Sequence, residues 1–305
     1  GAMVSTALPI LPSIVLRDNA GNPLSGVSVT FAVTDGGGSI TGATTTTNAT
    51  GIATVGSWTL GSSAGPNALT ATVSGSSIVG NPIVFSATPC PGGGSGFKIT
   101  LCFITPMTTA QRTVFEDAAA RWSSLITGDL PDFVANFANG FCGTNSPRVS
   151  LTIDDLLIFA RVEPIDGAGG VLGSAGWCAR RSGGLPIIGT MRFDSADLAQ
   201  LEANGRLAAV ILHEMGHVLG IGSMWSQAGL LQNASPVGGP PLDTYFSGAS
   251  AIVGFDAIGG TTYTGGQKVP VENQFGSGTI NAHWRESVLA NELMTGFIGS
   301  TNPLS

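Results

Sequence analysis

The stretch HEMGHVLGIGSMW, from His213 to Trp225, carries two histidines four residues apart and a glutamate directly after the first. On a helix, His213 and His217 lie one turn apart on one face, so both imidazoles can face a single ion. Glu214 lies on the adjoining face, from which its carboxylate can reach a water molecule on that ion. The spacing fits the HExxH pattern of zinc hydrolases, although helices that bind no metal also carry histidines at this spacing.

The residues around the two histidines favour a metal site. The apolar residues predict a buried helix, in which histidine and glutamate need partners to be tolerated; they are Leu207, Val210, Ile211, Leu212, Val218 and Leu219. Gly220 follows His217 by three residues and predicts a helix end at which the chain turns back towards the metal.

The third ligand has to come from elsewhere in the chain. In the compact form of the metzincin pattern, a histidine stands three residues after that glycine, but this position is Ser223, and serine is a poor zinc ligand. Of the three histidines in the sequence, the remaining one is His283, in NAHWRESVLANELMTGF. We therefore predict that His283 completes the site and that residues 221–282 form a long insertion that returns to the metal.

The combination of HEMGHVLGIG, a long insertion, HWRE and ELMTGF resembles the leishmanolysin group of metzincin peptidases in its bacterial form, over about residues 97–305. The resemblance implies an α+β zincin catalytic domain with one bound zinc and Glu214 as general base. It also implies that Met294 forms the Met-turn beneath the zinc, although a methionine there also serves as a core gap-filler. Metzincins usually continue into a further C-terminal helix, which we expect this chain to lack.

Local patterns predict the elements of this domain. Apolar runs predict strands at 97–104, 155–160, 171–177 and 189–193, and helical spacing predicts helices from Thr108 or Thr109 onward and at 205–219. By the same resemblance, the edge strand within 171–177 pairs with an extended peptide substrate. The residues expected to bind the substrate backbone are Gly173, Ser174, Ala175 and Gly176.

Two further stretches resemble the calcium loop and following strand of matrix metalloproteinases: IDGAGGVLGSAG at 165–176 and GTMRFDSAD at 189–197. The resemblance implies a structural calcium ion, which binds carboxylate and carbonyl oxygens. The carboxylates would come from Asp166, Asp194 and Asp197, and the carbonyls from Gly167, Gly169 and Val171. An Asp-Gly turn and an N-capping aspartate explain the same residues equally well.

The N-terminal part has a different pattern. Short alternating apolar runs separated by Gly, Asn and Pro predict an all-β sandwich at residues 4–88. The order LRDNAGNPLSGVSVTFAV, TNATGIATVGSWTLG and GPNALTATV resembles the bacterial immunoglobulin-like repeats of invasin and intimin adhesins. PCPGGGSG at 89–96 is the predicted linker. The sequence therefore predicts a multidomain chain, with an immunoglobulin-like sandwich followed by the catalytic domain at 97–305.

Four cysteines, none in a CxxC pair, argue against a thiolate zinc site. An even number in a chain rich in Gly, Ser and Thr favours two disulfides and an oxidising compartment. Three pairings are possible, of which we favour Cys142–Cys178 and Cys90–Cys102.

Charge and hydropathy restrict the kinds of molecule that this protein can bind. The net charge of −7 and the absence of a basic cluster argue against nucleic acid, and no apolar run is long enough to span a membrane. We predict a secreted or cell-surface bacterial zinc endopeptidase that hydrolyses peptide bonds of extracellular proteins. Its immunoglobulin-like domain would engage a cell-surface or matrix target. The alternative is an adhesin-type binding protein with an inactive or ancillary protease domain.

Overall fold

The computed structural model describes residues 5, 7–8, 10–62, 67–74, 79–87, 96–143 and 146–299. The chain divides into two compact units. The first is the described part of Gly1–Gly94 with Cys102–Ile104 and Asp132–Asp154, and the second is the described part of Ser95–Leu101, Thr105–Pro131 and Asp155–Ser305. The predicted domain boundaries stay a prediction, and residues 89–95 of the predicted linker lie outside the described residues.

The first unit begins with eight short strands. They are β1 (Ser13–Val15), β2 (Ser28–Asp35), β3 (Ser39–Thr41), β4 (Thr44–Thr46), β5 (Ile52–Thr54), β6 (Ser57–Thr59), β7 (Asn67–Val73) and β8 (Ile83–Ala87). An antiparallel sheet has the order β4-β2-β7-β8, and β1 pairs with β5 and β3 with β6. Side chains alternate between buried and exposed along β2 and β7, which is the period of a strand with one face on a core.

The core between these strands is apolar. Val29 and Phe31 of β2 and Leu69 of β7 are almost fully buried, together with Trp58. No helix occurs among the described residues up to 87, as the sequence predicts for this part. The immunoglobulin-like assignment itself stays a prediction.

Up to residue 219, the second unit contains three helices and a four-stranded sheet, whose first strand in chain order continues into residues 102 and 103 of the first unit. Its elements are β9 (Ile99–Phe103), α1 (Thr109–Leu125), β12 (Leu156–Glu163), β13 (Gly173–Arg180), β14 (Pro186–Asp194), α2 (Leu198–Ala203) and α3 (Leu207–Leu219). The intervening hairpin β10 (Phe133–Phe137) and β11 (Val149–Ile153) belongs to the first unit. The sheet order is β13-β14-β12-β9, with β12 and β14 parallel and β13 antiparallel to β14. The antiparallel strand β13 therefore lies at an edge of the sheet.

Local chemistry explains why these elements form. Helix α1 begins at a capping box, in which the Thr108 hydroxyl accepts from the Gln111 backbone and the Gln111 side chain accepts from the Thr108 backbone. Helix α3 is apolar, packs against β13 and α1, and ends at Gly220 in the left-handed conformation, with φ of 112°. Glycine adopts this conformation without steric cost, so the predicted helix end is confirmed.

The segment after α3 has more regular structure than its Gly and Pro content indicates. It contains β15 (Leu231–Gln232), β16 (Tyr245–Phe246), α4 (Ala249–Ala257), α5 (Gly260–Thr264) and β17 (Val269–Pro270), with α6 (Glu286–Leu289) following. The three short strands form one antiparallel sheet in the order β15-β16-β17. Trp225, Phe246 and Trp284 pack together with ring centroids 4.4–5.6 Å apart. Among the described residues, no helix is long and apolar enough to cross a membrane.

Candidate metal centre

The three histidines converge on one point. The Nε2 atom of His217 lies 3.0 Å from that of His213 and 3.1 Å from that of His283, and the Nε2 atoms of His213 and His283 are 3.2 Å apart. Two of the imidazoles come from α3 and the third from the loop before α6. The structure thus brings together the three residues that the sequence selects as ligands.

Hydrogen bonds at the other ring nitrogen fix the tautomer of each imidazole. Nδ1 of His213 lies 2.7 Å from the Leu293 carbonyl oxygen, that of His217 lies 2.8 Å from the Ile221 oxygen, and that of His283 lies 2.9 Å from the Thr279 oxygen. A carbonyl oxygen only accepts, so each Nδ1–H must donate, which leaves each Nε2 of a neutral ring with a bare lone pair.

Three facing lone pairs without a proton between them repel one another unless a cation lies among them. Tetrahedral zinc with Zn–N bonds of about 2.0–2.1 Å places its nitrogen ligands about 3.3–3.4 Å apart. The separations of 3.0–3.2 Å are within a few tenths of an ångström of that value. The donor set therefore fits zinc.

The surroundings keep the imidazoles neutral, which is the form that binds a metal. Burial lowers the pKa of His213, and burial with the neighbouring imidazoles lowers that of His217 well below its usual value. Burial and His213 lower the pKa of His283 to about 4.

Glu214 is buried beside this cluster, and burial raises the pKa of its carboxyl group to about 8. The first residue of β13 packs against it. A Cβ atom added to Gly173 would lie 3.1 Å from both Cγ and Oε1 of Glu214. The glycine therefore leaves the space that the glutamate side chain occupies at the edge strand.

The side chain of Met294 packs against α3 at Gly216. A Cβ atom at Gly216 would be 2.6 Å from the Met294 sulfur, so the glycine within HEMGH makes room for this side chain. Met294 is held by its neighbour Glu292, whose Oε2 accepts the Met294 N–H at 2.6 Å. The Met-turn role stays a prediction.

Gly222 is a residue that sequence reasoning missed. A Cβ atom there would collide with the Ala282 carbonyl oxygen and lie 2.8 Å from its carbonyl carbon, and φ of Gly222 is +75°. The close approach of these two backbones places His283 beside α3. Ser223 is not part of the histidine cluster, and its hydroxyl donates to the His217 carbonyl oxygen at 2.6 Å.

The residues of the predicted calcium loop are connected by hydrogen bonds. Oδ2 of Asp194 accepts backbone N–H groups from Ile165, Asp166 and Gly167 at 2.9–3.2 Å, and its Oδ1 accepts that of Ala196 at 2.8 Å. These bonds, led by the one from Ala196, lower the pKa of Asp194 to about 2.

The rest of the loop follows the same arrangement. Asp197 accepts the N–H of Gly169 at 2.7 Å, and Asp166 accepts that of Val171 at 3.0 and 3.1 Å. The glycines and valine expected to present carbonyls to calcium thus present N–H groups to carboxylates. These contacts give the calcium prediction no support. Among the described atoms, Oδ2 of Asp197 is buried and has no hydrogen-bond partner.

Other predicted residues lie where the sequence places them, with their roles untested. Gly173, Ser174, Ala175 and Gly176 lie in β13 and pair with β14 on one side. Cys102, Cys142 and Cys178 are disulfide-bonded. Cys90 lies outside the described residues, so the favoured pairing stays a prediction.

The comparisons with known proteins identify the family. A sequence model described as leishmanolysin, of the M8 peptidases, matches residues 134–302, over half of the chain. The chain belongs to the leishmanolysin family, whose members are zinc metallopeptidases.

The other comparisons add little. A search of curated proteins returned no match. Among solved structures, a C-terminal 282-residue fragment of intimin, in complex with the intimin-binding domain of the translocated intimin receptor, is 20% identical with a TM-score of 0.22. The match covers 26% of this chain and 26% of that chain, and at this TM-score it supports no conclusion about fold.

We predict that Gly222→Ala weakens metal binding about ten-fold or more, because its Cβ atom pushes the Ala282 backbone and hence His283 away from α3. Gly229→Ala is the control, since Gly229 has φ of +69° but nothing within 4 Å of an added Cβ. Competition with a chelator of known affinity measures the difference. Equal losses in the two variants would attribute the effect to backbone strain alone.

We predict that Asp194→Asn destabilises the metal-free chain at neutral pH, because an amide nitrogen replaces one accepting oxygen. In the folded chain the pKa of Asp194 is about 2, below the ordinary value of 3.8. The ionised carboxylate therefore contributes its full stabilisation above pH 3.8, and this stabilisation is lost as the pH falls towards 2. Urea unfolding should show the gap between wild type and variant narrowing over that range. A constant gap, or an equal effect of the exposed Asp117→Asn, would contradict the prediction.

Proposed function

We propose that the chain is a zinc-dependent endopeptidase in which His213, His217 and His283 hold one zinc ion. The observation that carries the proposal is the convergence of three Nε2 lone pairs, each fixed by an Nδ1–H bond to a carbonyl oxygen. Membership of a family of zinc metallopeptidases supports it.

Glu214 is the proposed general base. A zinc ion held by His213, His217 and His283 would make a water molecule more nucleophilic and would polarise the scissile carbonyl group. Glu214 takes the proton from the attacking water and delivers it to the leaving amine. Burial makes the Glu214 carboxylate more basic, and the positive charge of a zinc ion held beside it would favour its ionised, proton-accepting form.

The edge strand β13 is the proposed substrate-binding strand. Its first residue, Gly173, packs against Glu214, so a peptide paired with the free edge of β13 passes beside the general base. Pairing through the backbone recognises an extended chain independently of its side chains. Gly173, Ser174, Ala175 and Gly176 would make these backbone contacts.

The setting that we propose is extracellular and bacterial. Disulfide-bonded cysteines are typical of proteins from oxidising compartments. The β-rich N-terminal part, proposed as an immunoglobulin-like domain at 4–88, would space the catalytic domain at 97–305 or present it to a cell-surface or matrix target.

The first experiment measures the metal content of the purified chain and its cleavage of casein, with and without a zinc chelator. We expect one zinc per chain and cleavage that the zinc chelator abolishes but a calcium-selective chelator does not. A chain that binds no zinc after attempts to load it would refute the proposal and favour a binding protein.

Glu214→Gln should keep the zinc and lower turnover by about 10²–10⁴-fold, because the amide cannot accept the proton. Metal analysis and peptide cleavage, run on the same preparation, measure both properties. Full activity in this variant would remove Glu214 from the role of general base.

His283→Ala should lose most of the zinc affinity while α3 stays folded, because two ligands from one helix remain. Metal titration and circular dichroism measure the two properties. Unchanged zinc content would exclude His283 from the site.

A further inference from the structure

The third histidine lacks the support that the other two have. His213 and His217 belong to a 13-residue helix, whose backbone hydrogen bonds fix their positions. His283 precedes α6 and lies in no regular element. A loop residue is mobile unless other groups hold it, so the placement of His283 needs a separate explanation.

The carboxylate of Glu272 supplies hydrogen bonds around this loop. Its side chain is buried, with 2% of the residue exposed. Oε1 accepts the N–H groups of Asn273 at 2.9 Å and Gln274 at 3.0 Å, and Oε2 accepts the N–H of Glu286 at 3.0 Å. One carboxylate thus connects the turn after Glu272 to the first residue of α6.

The backbone of Glu272 holds the same loop on the other side of the histidine. Its N–H donates to the His283 carbonyl oxygen at 2.8 Å, and its carbonyl oxygen accepts the Asn281 N–H at 2.9 Å. Asn281 in turn exchanges two hydrogen bonds with the backbone of Ser235, at 2.8 and 2.9 Å. The chain is therefore attached to Glu272 at 281, 283 and 286.

We infer that Glu272 is a positioning residue for the third metal ligand, with its carboxylate holding residues 281–286 so that the His283 Nε2 meets the two imidazoles of α3. The inference rests on the proposed zinc site. The inference requires one specific hydrogen bond, from the Glu286 N–H to the Glu272 carboxylate. A carboxylate that only stabilised the core would not need this particular partner.

Glu272→Gln tests the acceptor. Its amide oxygen still accepts from Asn273 and Gln274, but its NH₂ group faces the N–H of Glu286, donor against donor. In the full chain loaded with cobalt(II), we expect about ten- to hundred-fold weaker binding in competition with a chelator. We also expect the visible spectrum of the cobalt protein, which reports ligand number and type, to shift towards fewer nitrogen ligands.

Glu286→Pro tests the donor while leaving Glu272 in place. Residue 286 is the first residue of α6, where proline is tolerated, and Arg285 before it is extended, with ψ of 115°. Glu286→Ala is the matched control, because it removes the same side chain but keeps the N–H. We expect the proline variant to change cobalt affinity and spectrum in the direction of Glu272→Gln, and the alanine variant to leave both unchanged.

Asp155→Asn controls for the loss of any buried carboxylate. Asp155 is fully buried and accepts the N–H groups of Lys98 and Leu130. We expect this variant to lower the stability of the chain without changing the cobalt spectrum. Equal effects of Asp155→Asn and Glu272→Gln on affinity and spectrum, or of the proline and alanine variants at 286, would overturn the inference. A wild-type chain that does not bind cobalt would instead refute the proposed metal site itself.

Discussion

The bond from each imidazole Nδ1–H to a backbone carbonyl oxygen is the constraint on which the candidate site depends. It fixes the tautomer, and with it the Nε2 lone pair that faces the other two rings. The three carbonyls belong to separate segments: Leu293 precedes Met294, Ile221 follows α3, and Thr279 lies in the returning loop. Three distant parts of the chain therefore have to be placed within a few tenths of an ångström for the nitrogens to converge.

Buried acidic side chains hold several of the loops near the candidate site in position. Asp194, Glu272 and Glu292 each accept a backbone N–H group. Cationic side chains are scarce in this chain, since its 305 residues contain 12 Lys and Arg but 19 Asp and Glu. A buried carboxylate must be compensated, and backbone N–H groups are available wherever a loop turns.

The sequence predicts the parts of the structure that depend on local or rare signals. Apolar spacing predicts α1 and α3, and three histidines in the whole chain make His283 the natural third ligand. The sequence patterns do not predict helix α2, the β10–β11 hairpin or the small sheet after α3. Helix α2 has six residues and each strand of the small sheet has two, which is too few to show a clear period. Gly222 and Glu272 depend on which backbone lies opposite, and sequence spacing does not show this. The aspartates at 166, 194 and 197 illustrate the same limit, because cation binding and N–H acceptance use the same residue types.

The insertion after α3 is structurally coupled to the site. Trp284, next to His283, packs with Trp225 and Phe246, and its N–H donates to the Met294 carbonyl oxygen at 3.0 Å. His283 is thereby attached both to the insertion and to the segment that contacts α3 through Met294. Displacing any one of these segments moves a ligand or the carbonyl that orients it. The insertion is therefore part of the framework that sets the metal geometry, and a change in its aromatic cluster acts on the site through Trp284.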